Sequence, residues 1–211
     1  LAGWWWTAAE HELFRNWADQ PGSPARGQFV SLAKHIKYGQ TRPISGAVLP
    51  SGCADHAFVH IGYGDAAEPS DAYGPWGPVV APVRLPRTVA DLAADGVSGF
   101  MAYSEGACDD VNKALLAGVA SGRFATAQEV LECYAERYYG AKGGERADWA
   151  DWLARWGHPF EVEVSAASRD FEKLSRAAKE TWRLAAWRQR VKLYQAHAEV
   201  VGQAQGDATV G

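Results

Sequence analysis

The stretch that most limits what this chain can fold into is Gly96–Asn112, GVSGFMAYSEGACDDVN. A short apolar run (Val97, Phe100, Met101, Ala102) follows Gly96 and surrounds Gly99. It ends in Tyr103, Ser104, Glu105 and Gly106, and the chain then turns at Asp109, Asp110 and Asn112 into a helical pattern. A buried strand that runs straight into a helix is half of a βα unit, and such units build parallel sheets. Ligands of those folds gather beyond the carboxyl ends of the strands. Tyr103 and Glu105 therefore stand where a substrate would lie. The plainer role for Glu105 is to cap the helix or pair with an arginine.

Two more segments read the same way. Ala57–Tyr63 (AFVHIGY) is a strand by Phe58, Val59 and Ile61, and Tyr63, Gly64 and Asp65 close it. Asp65 is a site candidate at that strand end, against the alternative of a turn-forming aspartate. His60 lies inside the run, where a lone histidine is more often a hydrogen-bonded core residue than a catalyst. At the start, Leu1–Trp6 is short and aromatic. Thr7-Ala8-Ala9-Glu10 is a capping box, and Leu13, Phe14 and Trp17 follow at helical spacing over residues 8–19. Trp4, Trp5 and Trp6 alternate in direction if extended, so at least one faces the mouth of the sheet. Trp5 is carried forward as the binding candidate.

Between these units the signals are weaker. Phe29–Ile36 is predicted helical, Ile44–Leu49 a short strand or extended loop, and Thr88–Asp91 the start of a brief helix that Gly96 stops. Residues 66–86 are rich in proline and glycine. Long loops of this kind are commonly functional, and Tyr73 and Trp76 mark it as a rigid aromatic lip.

After Asn112 the pattern is helical throughout. Asp109–Ala120 ends at Gly122, a second capping box opens at Thr126-Ala127-Gln128-Glu129, and Gly140 stops that helix. Trp149, Trp152, Leu153 and Trp156 recur at core spacing. Ser168 is predicted to cap one last long helix whose apolar stripe changes phase near Trp187. The basic residues Arg183, Arg188, Arg190 and Lys192 read as a solvated face. The expected division is residues 1–122 as βα units and 123–211 as a helical domain. The expected class is α/β, the last βα units of a TIM-type barrel followed by an all-α C-terminal extension. The missing initiator methionine and the tail GQAQGDATVG suggest a piece of a longer protein.

Composition excludes some functions. Net charge is −4 with no basic stripe, which argues against nucleic acid as a partner. No run of roughly 18 apolar residues suggests a membrane span. Three scattered cysteines, Cys53, Cys108 and Cys133, suit neither a disulfide framework nor a zinc site. A barrel metal site needs several His and Asp at strand ends; His60 and Asp65 are the sole close pair there, and no HxH occurs, so no metal or other cofactor is expected. Ten tryptophans and eight tyrosines supply many flat faces of the kind that stack on sugars or fill helix cores.

The motif Gly96-Val97-x-Gly99-Phe100-x-x-Tyr103-x-Glu105-Gly106, with Ala125–Gly140 (ATAQEVLECYAERYYG) after the intervening helix, resembles the C-terminal part of (β/α)8-barrel glycoside hydrolases. The α-glucuronidases and endo-β-N-acetylglucosaminidase-like enzymes are the nearest resemblances. Relatives often carry Trp-x-Pro where this chain reads Ser121-Gly122-Arg123-Phe124. The resemblance implies hydrolysis of an oligo- or polysaccharide, chemistry that needs two carboxyl groups across the scissile bond. Glu105 and Asp65 are the candidate pair. Trp5, Tyr63, Trp76, Tyr103 and Asp110 are candidates for sugar binding, although Asp109 and Asp110 at a helix start also suit capping. The rival expectation is a non-catalytic carbohydrate-binding or scaffold protein on a barrel-like fold. A metal-dependent barrel hydrolase ranks lowest.

Overall fold

In the computed structural model, which describes residues 1–37, 39–65, 80–104, 109–158 and 161–208 with side chains to residue 201, the N-terminal half is a four-stranded parallel sheet. The strands are β1 (Ala2–Gly3), β2 (Ser31–His35), β3 (Ala54–His60) and β4 (Gly99–Tyr103), in that spatial order. Helix α1 (Ala8–Asp19) joins β1 to β2, and α2 (Arg84–Ala94) precedes β4. The two runs expected to lie side by side do so: His56–His60 of β3 pair in parallel with Gly99–Tyr103 of β4. Sequential order with every strand parallel is the winding of stacked βα units.

Local chemistry explains the helix ends. Thr7 and Glu10 form the expected capping box on α1. Thr126 and Glu129 do the same for α4 (Ala127–Tyr139), which closes at Gly140 with φ 74°. The α3 helix (Asp110–Ala120) follows β4 and is stopped near Gly122, and α5 (Glu145–Ala154) runs into a 3-10 turn at Arg155–Gly157.

Several local expectations need correction, among them the strand read at Ala57–Tyr63, which lies at Ala54–His60. Phe29–Ile36 is not helical; it holds β2. Leu32 and Ala33 are buried on opposite faces, so the alternation that marks a half-exposed strand is lost and the run imitates a helical turn. The helix expected from Thr88 starts earlier, at Arg84, before Pro86 can interfere, because proline is tolerated in a first turn. Ser168 caps nothing and sits buried within α6 (Val164–Ser175), whose N-terminal N–H groups donate to the Glu163 carboxylate. The shift of phase in the last apolar stripe is a break between two helices: α6 ends at Ser175 and a separate helix, α7 (Trp182–Ala208), begins after Thr181, whose hydroxyl accepts from the Leu184 N–H at 3.2 Å. Nor is the basic face wholly solvated. The Arg183 Nε donates to Asp110 at 2.6 Å and lies over the Tyr138 ring, and Arg190 is buried beside Trp187.

A single cluster of buried side chains runs from Ala57, Val59 and Ile61 on one sheet face, through Leu85, Leu92 and Leu115, to the aromatic residues of the C-terminal helices. Trp149, Trp152 and Trp156 are buried there as their spacing predicts, and the Trp152 indole N–H donates to the Ala167 carbonyl at 2.9 Å. Burying rings of this size contributes about 2–3 kcal/mol each. The sheet is thus clad by helices on the face that carries Ala57, Val59 and Ile61. Its opposite face carries the candidate site.

Candidate functional site

Residues in register on neighbouring strands share a face of the sheet. The pairings Ala2↔Ala33, His35↔Phe58, Phe58↔Met101 and His60↔Tyr103 therefore put Ala33, His35, Phe58, His60, Met101 and Tyr103 on one side. Toward the carboxyl ends this side becomes a cluster of rings. Trp4, just beyond β1, lies 6.1 Å from Tyr103 and 6.2 Å from Phe58, centroid to centroid; Phe58 stacks on Tyr103 at 5.8 Å. Tyr103 ends one outermost strand and Trp4 follows the other, strands separated in a flat sheet by three spacings, about 14 Å. Their rings lean toward each other and meet over this face, and with it they enclose a concave mouth. Trp4 is 48% exposed and Trp5 is 50% exposed, so the cluster presents aromatic surface to solvent.

Beneath these rings His35 and His60 face each other, with their Nε2 atoms 3.0 Å apart. Both are buried, at 1% and 2% exposure. Burial, with the nearby Lys37 ammonium, holds His35 down at a pKa of about 4; burial, His35 and the Arg84 guanidinium do the same to His60. Both imidazoles are neutral at pH 7, so one Nε2–H donates to the other Nε2. The pair ties the ends of β2 and β3 together. The Trp5 ring lies 4.6 Å from His35. To reach that position Trp5 adopts φ 62°, the one non-glycine left-handed residue among those described, at a cost of about 1–2 kcal/mol. Strain of this kind persists where the surrounding structure imposes it, and it concentrates at functional sites.

The other predicted residues divide sharply. Tyr103 belongs to the cluster. Tyr63 is buried, with its ring 5.6 Å from His60, and so supports the site from below rather than offering a stacking face. Asp65 is turned to a structural task. Its carboxylate accepts the N–H groups of Val83 (3.1 Å) and Arg84 (2.7 Å) at the start of α2, and its own N–H donates to the Gly157 carbonyl at 3.0 Å. Burial raises its pKa. Arg84 completes this joint: its guanidinium donates to the carbonyls of His60, Tyr63 and Gly64 at 2.6–3.1 Å. Burial brings it down to about 10, still charged at neutral pH.

Asp110, in the first turn of α3, accepts from the Tyr134 hydroxyl and from Arg183, joining α3, α4 and α7. Burial raises the Tyr134 pKa, so that phenol remains a donor. Asp109 is buried and accepts from the Ser104 hydroxyl at 2.6 Å. Asn112 donates to the Ile61 carbonyl (2.7 Å) and accepts from the Ala81 N–H (2.8 Å), which locks α3 against the end of β3. Glu105 and Trp76 lie outside the described residues. Among the described residues, no group of three or more His, Cys, Asp or Glu side chains is gathered as metal ligands would be, and no helix is long and apolar enough to cross a membrane.

Sequence reasoning missed His35 and passed over Trp4. His35 was hidden because its segment imitates a helix, and Trp4 differed from Trp5 and Trp6 only by the register of a two-residue strand. The parity of Ala2 against Ala33 is the signal that assigns Trp4 to the concave face. No protein-family model, curated protein or solved structure matches the chain.

Proposed function

We propose that the concave face binds a saccharide, and that the chain is part of a glycoside hydrolase of (β/α)8-barrel type. The observation that carries this reading is the ring cluster of Trp4, Trp5 and Tyr103, in which both tryptophans are exposed, at the carboxyl ends of four parallel strands wound in sequential order. Aromatic faces beside hydrogen-bonding groups are what a sugar ring needs, since its C–H faces are apolar and its rim is polar. The barrel part of the proposal is supported by the sequential, all-parallel order of the strands, and it calls for further strands beside β1 and β4. The hydrolytic part depends on Glu105, because Asp65, Asp109 and Asp110 are each engaged in joining elements of the fold.

That same engagement favours the second reading, a carbohydrate-binding protein without hydrolysis. The two are separated by one set of measurements. Saccharide binding is followed by tryptophan fluorescence and calorimetry for the wild type and Trp4→Ala, and turnover on the bound glycan is followed for the wild type and Glu105→Gln. Binding weakened at least tenfold by Trp4→Ala supports the saccharide site. Turnover lost in Glu105→Gln with binding retained supports hydrolysis; wild-type binding without turnover supports the second reading. Unchanged affinity in a folded Trp4→Ala removes the ring cluster from the site.

A further inference from the structure

Beside the ring cluster, on the β1–β2 side, a groove of about 860 Å³ runs between the turn that leads into α1 and the loop that follows β2. Trp5, Trp6, His35, Lys37, Gln40 and Ser45 are among the residues that line it. Its outer wall is tied to the end of β2: the Ile44 N–H donates to the His35 carbonyl at 3.3 Å, and the Gln40 N–H to the Lys37 carbonyl at 3.0 Å. The inner wall is the Trp5 ring, held against His35 by its left-handed backbone. Trp5 is thus shared between the sheet mouth and the groove, and a ligand lying on it is continuous with one lying on Trp4 and Tyr103.

We infer that this groove is a second saccharide subsite, which receives the next residues of a neutral, linear oligosaccharide extending from the ring cluster. The inference rests on the saccharide reading above. Three observations specify the ligand. The volume falls within the range of concave sites for small-molecule ligands, about 300–1,000 Å³, enough for a disaccharide or trisaccharide portion. The lining pairs two indole faces with an exposed carboxamide (Gln40), an exposed ammonium (Lys37) and an exposed hydroxyl (Ser45), the partners that sugar hydroxyls take. The second cation on the wall, Arg42, is neutralised by ion pairs with Asp91 (2.9 Å) and Asp95. Among the described residues that leaves Lys37 as the one cation of the lining without an ion pair, too little to select an acidic ligand over a neutral one.

The test is a chain-length series. Affinities are measured for ladders of one to six residues of β-1,4-linked glucose, xylose and N-acetylglucosamine, and of galacturonic acid, against the wild type, Ser45→Trp and Gln40→Ala. Ser45→Trp fills the groove, Gln40→Ala removes one partner, and circular dichroism with thermal melting confirms that each is folded. The expected result is that a neutral ladder gains at least tenfold in affinity as it lengthens past the first residues. Ser45→Trp abolishes that gain and Gln40→Ala reduces it. Binding with no gain on lengthening, or a gain that survives Ser45→Trp, overturns the groove and leaves the ring cluster standing. A preference of more than tenfold for the galacturonic ladder overturns its neutrality. No binding of any ladder by the folded wild type overturns the saccharide reading itself, and the subsite with it.

Discussion

Acid should loosen this fold through the His35–His60 pair before it reaches the carboxylates. Each imidazole is held at about 4 against an ordinary 6.5, so the folded state resists protons that the unfolded chain accepts. A group whose pKa is depressed by folding as a neutral base contributes its full stabilisation above the unfolded value. That contribution declines as pH falls from about 6.5 toward about 4. A shift of this size is worth roughly 3 kcal/mol for one ring at about 1.4 kcal/mol per pKa unit. The pair does not contribute twice that. The first proton breaks the contact in which one Nε2 must act as acceptor, and once the rings part the second titrates nearer its ordinary value. The expected loss between pH 7 and pH 4.5 is therefore about 3 kcal/mol. With a urea m value of about 2 kcal/mol per molar, the unfolding midpoint falls by about 1.5 M. The assay compares urea midpoints of the wild type and of His35→Gln/His60→Gln across that range. His11, also depressed by burial, and Asp65, raised by burial, are common to both proteins and cancel in the difference. If the double variant loses as much stability on acidification as the wild type, the pair is not held neutral by the fold and the reasoning fails.

Two substitutions test the division of labour among the candidate residues. Asp65→Asn keeps an acceptor for the N–H groups of Val83 and Arg84 but removes the charge beside the Arg84 guanidinium. It should cost about 1–2 kcal/mol in a thermal or urea melt with saccharide affinity unchanged; lost affinity in a folded variant would return Asp65 to the site. Trp5→Gly relieves about 1–2 kcal/mol of left-handed strain and loses the ring packed on His35 together with about 1 kcal/mol of glycine chain entropy. Net stability should move by no more than about 1 kcal/mol while saccharide affinity falls at least tenfold. Equal affinity in the glycine variant would show that the strain serves packing alone.

What the sequence disclosed depended on how local its physics is. The capping boxes at Thr7 and Thr126 and the stop at Gly140 are settled by a few adjacent residues, and they stand where the pattern put them. The strands read at Ala57–Tyr63 and after Gly96 were legible because an apolar run ended in glycine and polar residues, although the first lies three residues earlier, at Ala54–His60, and their parallel pairing followed from the helix between them. β2 was not legible. A strand buried on both faces between two neighbours carries no alternation, and its identity comes from pairing partners distant in the chain. The same holds for the site. Tyr103 could be placed from its own strand end, whereas the His35–His60 contact exists only because β2 and β3 lie side by side. Asp65 and Asp110 became site candidates because they follow strands. Their partners, the N–H groups of α2 in one case and Tyr134 and Arg183 in the other, are supplied by elements distant in sequence.

The carboxylates narrow the chemistry further than the rings do. Hydrolysis by two carboxyl groups needs one that is free to give a proton and one that is free to attack or activate water. Asp65 accepts two backbone N–H groups, Asp109 accepts the Ser104 hydroxyl while buried, and Asp110 accepts both Tyr134 and Arg183. Freeing any of them for chemistry would undo a joint between elements, at a cost of several kcal/mol for a buried charge left without its partners. The neutral imidazoles of His35 and His60 do not replace them, since each occupies the other's Nε2. On the proposed reading, a glycosidase built on this face takes its two carboxyl groups from residues other than Asp65, Asp109 and Asp110, with Glu105 the candidate for one. Turnover that is lost in Asp65→Asn, Asp109→Asn or Asp110→Asn with the fold retained would show that the engaged aspartate releases its partners during catalysis, and would refute the structural role assigned to it.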